Sequence, residues 1–133
     1  MDYLFLIGRL LYGGFFLLNG INHITRRTAY AQFAASKNVP LPLAAVLGTA
    51  ALLVLGGLSV LLGAWPEIGL SLIAAFLVGT TPMMHRFWAA SDSRERIVEQ
   101  VHFLKNIALL GATLMMIVFT AYAAGPWPFR VVR

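Results

Sequence analysis

Apolar residues run along this chain in four long blocks separated by short polar stretches. The blocks extend from about Tyr3 to Ile24, Leu41 to Trp65, Glu67 to Met84 and Val101 to Ala124. Each is close to the ~20 residues a helix needs to cross ~30 Å of hydrocarbon. The pattern therefore predicts an all-α fold, a polytopic membrane protein built as a four-helix transmembrane bundle. The first block is read as a true span, because it is long, contains Arg9 and is followed by no small-x-small cleavage site.

The breaks between blocks fit that reading. Pro40 and Pro42 mark the entry to the second helix, and "GAWPEIG" is a short turn into the third. "SDSRERIVEQ" reads as a polar connection before the fourth, with Ser91 or Ser93 as N-cap and Glu95 in the first turn. "RRTAYAQFAASKNVP" is expected to lie at the interface, partly helical. With no repeat or linker visible, residues 1–133 read as a single domain. Ser71, Ala75 and Gly79, with Ala108 and Ala112, form small-residue stripes expected to seat neighbouring helices.

Composition sharpens the class. The chain is 59% hydrophobic and 11% charged, against about 25% charged in soluble domains. Mean hydropathy is +0.79. There is no cysteine, which excludes disulfides, thiolate metal sites and thiol redox chemistry. The net charge of +5 reflects basic residues flanking apolar runs, not a phosphate-binding face, so no nucleic-acid partner is expected. Arg26, Arg27, Lys37, Arg86, Arg94, Arg96 and Lys105 fall on one side; only Arg130 and Arg133 fall on the other. The positive-inside rule then places those loops in the cytoplasm and both termini outside, in a cytoplasmic (inner) membrane.

Polar residues converge at one depth. Asn19, Asn22 and His23 share a face near the cytoplasmic end of the first helix. His102, Lys105 and Asn106 repeat the spacing in the fourth helix, and His85 and Arg86 end the third. Polar groups in lipid usually face a partner or a cavity. Lys105 and Arg86 also fit snorkelling to the headgroups. Asn19 and Asn106, being shorter, fit interhelical hydrogen bonding. Arg9, Tyr12, Phe16, Asn19 and His23 form one stripe. It suits either a cavity for a flat amphipathic ring, such as a quinone or haem, or a packing seam with Arg9 snorkelling outward; the spacing favours the seam. No carboxylate is expected within the helices, so no metal site is anticipated and little coupling machinery is left for a small transporter.

Several of these pieces together resemble the DoxX family of small four-helix membrane proteins. They are "GRLLYGGFFLLNGINHI", "FAASKNVPLP", "LGGLSVLLG", "MMHRFW" and "HFLKNIALLG", running in order from about Gly8 to Met115. By position, the resemblance emphasises Arg9, Asn19, Gly20, His23, Pro40, Gly57, His85, Phe87, Trp88, Lys105 and Asn106. Its relatives include a membrane subunit of a thiosulfate:quinone oxidoreductase. It thus implies a redox-associated subunit that binds quinone or anchors an oxidoreductase, with no intrinsic cofactor. The implied pocket is Asn19, His23, His85, Trp88, Lys105 and Asn106, with Trp88 or Phe87 against the ring and Arg9 as a second polar site. Many relatives carry a glutamate where this chain has Leu53, and a lysine where it has His23. The competing expectation is a non-enzymatic scaffold for a partner, with Met115 and Met116 facing it or, more simply, facing lipid. A small transporter stands third, behind a redox-associated subunit and a scaffold.

Overall fold

The computed structural model describes residues 1–122 and 127–131. The helices are α1 (Asp2–Thr25), α2 (Arg27–Ser36), α3 (Pro42–Leu62), α4 (Pro66–Met84) and α5 (Ser93–Tyr122). A short 3₁₀ turn, Phe87–Ala89, joins α4 to α5. No strand occurs among the described residues, and α1, α3, α4 and α5 are each long and apolar enough to span a membrane. The expected last residues of the fourth span, Ala123 and Ala124, and the terminal Arg133 lie outside the described residues.

Pro42 and Pro66 each open a helix, where the missing N–H has no partner to lose. The fourth span differs from its expected start. It begins at Ser93, so the stretch read as a connection supplies its first turns. Its cap is Asp92, whose Oδ2 accepts the Glu95 amide at 3.1 Å, in place of Ser91 or Ser93. At 30 residues, α5 is about 45 Å long and exceeds the ~30 Å hydrocarbon thickness. The interfacial stretch is helical over all of α2, with Ala34 buried and Tyr30 half-buried toward the bundle.

In space α1 packs on α3, α3 on α4, and α4 on α5, with α2 against α3. Phe16, Leu53, Val60, Leu70, Ile73 and Leu77 form the buried core. The close contacts are made by glycines. A Cβ at Gly57 would stand 2.5 Å from the Leu17 amide nitrogen and 2.8 Å from the Gly13 carbonyl. A Cβ at Gly56 would meet the Gly69 carbonyl at 2.9 Å. Only glycine lets these backbones approach so closely. The expected stripe of Ser71, Ala75 and Gly79 is exposed on the surface or cavity wall, and a Cβ at Gly79 meets nothing within 4 Å. Small size alone did not say which face packs.

The end of the bundle formed by the start of α1 and the end of α3 is closed by Arg9. It does not snorkel; it is 4% exposed. Its Nε donates to the Val60 carbonyl at 3.1 Å, one terminal nitrogen to Leu61 O at 2.6 Å, and the other to Pro128 O. Val131 N–H donates to Leu62 O at 2.9 Å, and Ala64 N–H to Ser59 O at 3.0 Å. All four terminal carbonyls of α3 are thus paired, and a cation sits at the negative end of its dipole. Gly63, at φ 65°, makes the left-handed turn that frees them. The stripe on α1 is therefore a packing seam at this end. Tyr12 continues it through a hydroxyl hydrogen bond to Thr113.

Candidate functional site

The opposite end of the bundle carries the basic loops, and there the stripe opens into a cavity. Its volume is about 650 Å³, inside the ~300–1,000 Å³ range of small-molecule sites. α1 and α5 both line it, with α2 and the entry to α3 on one side and the last turns of α4 on another. The walls are mostly apolar. Phe15, Phe33 and Phe76 offer rings, and Leu52, Met83 and Leu109 offer aliphatic surface.

Of the residues singled out in the sequence, Asn19, His23, His85, Lys105 and Asn106 line this cavity, together with His102. Trp88 does not. Helix α4 ends at Met84, and the 3₁₀ turn swings Trp88 onto Phe87 and Phe103, with ring centroids 5.1 and 5.7 Å away. Phe16 of the α1 stripe lines the cavity, and Phe15, Phe33 and Phe76 add rings that spacing alone did not mark. Arg9, at the far end, belongs to the helix cap described above. Leu53 is fully buried in the core and faces no cavity. Met116 packs against the core while Met115 is exposed, so the two methionines do not form one outward row.

The polar groups in the cavity differ in how far they are already satisfied. The Asn19 amide nitrogen donates to Phe15 O on its own helix at 2.7 Å, leaving its oxygen free. His23 Nδ1 lies 3.1 Å from the Thr49 hydroxyl, which donates to Ala45 O, so the imidazole nitrogen is the donor. The His23 ring also lies tilted against Tyr30 of α2, centroids 4.5 Å apart and planes at 45°. Asn106 is only 8% exposed, yet among the described residues its amide has no hydrogen-bond partner. Lys105 is exposed and has no carboxylate within reach among the described residues; its ammonium lies 5.8 Å over the Phe15 ring. Amide and ammonium thus stand as free donors beside apolar walls.

A carboxylate adjoins the cavity, contrary to the expectation that none would stand within the helices. Glu99 is 7% exposed in the early turns of α5. Its Oε1 accepts from Lys37 Nζ at 2.8 Å and its Oε2 from His85 Nδ1 at 2.8 Å. Arg86 donates to the Lys37 carbonyl at 2.7 Å, which completes the tie between the end of α2, the end of α4 and α5. His85 and His102 stack with centroids 5.2 Å apart. The signal was present as spacing: Glu95, Glu99, His102 and Asn106 fall on one helical face once α5 is allowed to start at Ser93. Among the described residues no group of three histidine, cysteine or acidic side chains could hold a metal ion.

A family model for DoxX matches residues 4–86. The chain belongs to the DoxX family. This DoxX protein is a multi-pass membrane protein, and its cavity is built jointly by the matched region and by α5 beyond it. No curated protein and no solved structure matches the chain.

Proposed function

We propose that this DoxX protein binds a quinone in the cavity at its basic end and serves as the membrane subunit of an oxidoreductase. The observation that carries the reading is the pairing of phenylalanine-lined apolar walls with the unpartnered Asn106 amide and the free Lys105 ammonium, both on the cavity wall. A quinone is a flat ring with two carbonyl acceptors and an apolar tail. Asn106 and Lys105 supply donors for a carbonyl. Phe15, Phe33 and Phe76 supply surface for the ring, and Leu109 and Met83 for the tail. The basic end faces the cytoplasm of a cytoplasmic membrane, by the lysine and arginine bias of its loops. Without cysteine the chain offers no thiolate for an iron–sulfur cluster, and it shows no flavin or haem motif. The electrons are therefore assigned to a partner protein.

The test is an organic extract of the gently purified protein, analysed for quinone by mass spectrometry against a matched membrane control. Stoichiometric enrichment is expected. Lys105→Met should leave the melting temperature unchanged, because Lys105 holds nothing together. It should weaken quinone retention about tenfold, the equivalent of ~1.4 kcal/mol for one lost charged donor. Background quinone in the wild type favours a scaffold that assembles a partner. A lowered melting point with unchanged quinone in the variant makes Lys105 structural.

A further inference from the structure

Holding a neutral quinone requires neither Glu99 nor the proton that Glu99 holds on His85. Both Glu99 oxygens are nevertheless committed, one to Lys37 and one to His85. An ionised carboxylate only accepts, so Nδ1 of His85 carries a proton. That fixes the tautomer. The other ring nitrogen, Nε2, has no partner among the described residues, and His85 lines the cavity. The arrangement of carboxylate, imidazole and open reacting space is the one in which a histidine works as a general base and acid.

We propose that His85 is the acid–base group of this cavity and that Glu99 is its positioning residue. The inference rests on the quinone reading above. Oxidation of a quinol to a quinone releases two electrons and two protons. The electrons pass to an oxidant on a partner or in solution. The protons need a base at the ring hydroxyl. In its neutral form His85 takes a hydroxyl proton on Nε2 and becomes an imidazolium held by Glu99. It returns that proton from Nε2 to water in the cavity while Nδ1–H stays on Glu99, and then takes the second hydroxyl proton in the same way. Lys37 Nζ, 2.8 Å away, occupies the other Glu99 oxygen, so the carboxylate stays an acceptor that holds the ring. Quinone reduction uses the same path in reverse, with His85 donating.

The charged and titratable groups around His85 come from every neighbouring element. They are Lys37 after α2, Arg86 beside it, and Glu95, Glu99, His102 and Lys105 on α5. Glu99 is the acid in direct contact with His85.

The experiment uses the full chain in nanodiscs, loaded with decylubiquinol and freed of unbound quinol by gel filtration. Ferricyanide is the oxidant; each quinol reduces two ferricyanide ions and releases two protons. Bound quinol is quantified first, and its oxidation is then followed between about pH 5 and 8, the range in which histidine titrates. In the wild type the rate per bound quinol is expected to rise as histidine becomes neutral and then level off. Glu99→Gln should keep the bound quinol, slow its oxidation about tenfold or more near neutral pH and displace the profile. Glu99→Asp should restore most of the rate. His85→Gln leaves the Lys37–Glu99 pair in place and should abolish the rise with pH. Wild-type rates and profiles in both Glu99→Gln and His85→Gln, with quinol bound, overturn the proposal while leaving quinone binding intact. Failure of the wild type to retain quinol overturns both.

Discussion

Arg9→Met is expected to lower the stability of the purified bundle by about 3 kcal/mol or more, read as a large drop in melting temperature in detergent. Methionine matches the length of the arginine stem but donates nothing. The carbonyls of Leu61 and Pro128 lose their Arg9 donors, and Val60 keeps only the 3.3 Å bond from Gly63 N–H. Hydrogen bonds from a charged donor contribute ~1.5–3 kcal/mol each, and an acceptor left dry is costlier still. The segment 127–131 should loosen with it, since Pro128 is held by Arg9 and Trp127 lies against the guanidinium at 5.8 Å. Arg9→Lys should recover only part of the loss, because an ammonium cannot reach three carbonyls as a planar fork does. A melting curve unchanged by Arg9→Met is the result for a residue that merely snorkels, and it contradicts the cap.

The second large effect is expected from Gly57→Val. The Cβ alone would stand 2.5 Å from Leu17 N and 2.8 Å from Gly13 O, and both are backbone atoms that no rotamer change can move. α1 must shift away from α3, which opens the core around Phe16 and Leu53. The loss should reach or exceed the ~3 kcal/mol upper end of the usual overpacking range. Gly14 is the internal control. A Cβ there meets nothing within 4 Å, so Gly14→Ala should melt with the wild type. Equal melting of Gly57→Val and Gly14→Ala would show that α1 and α3 do not cross where the glycines meet.

The four spans were legible in the sequence because apolar length is a strong signal and the bilayer sets it. The polar residues of α1 and α5 were legible for a related reason: an antiparallel bundle brings Asn19, His23, Lys105 and Asn106 to one depth whatever its packing details. Three features were not legible, each because it depends on contacts between distant segments. Glu99 lay in a stretch read as a connection, since "SRERIVEQ" is too polar to register as span, although it continues the helix. Its burial comes from Lys37 and His85, 62 and 14 residues away in sequence. Arg9 looked free to snorkel because nothing local shows that the carbonyls of Val60 and Leu61 end beside it. The Ser71, Ala75 and Gly79 stripe had the right spacing for close packing, but Gly56 and Gly57 made the contacts. Trp88 was displaced from the cavity for a local reason. The helix stops at Met84, and the next turn changes the direction in which position 88 points.

The most direct measurement of the central claim is the quinone content per chain of the wild type beside Gly79→Phe. Gly79 lies on the cavity wall and a Cβ there meets nothing within 4 Å, so a phenyl ring can be added at the wall without a backbone clash and is expected to occlude the cavity. Near-stoichiometric quinone is expected in the wild type and background quinone in the variant, with the same melting temperature for the two apart from any stabilisation by bound ligand. Equal quinone in both proteins, or background in both, would contradict the claim.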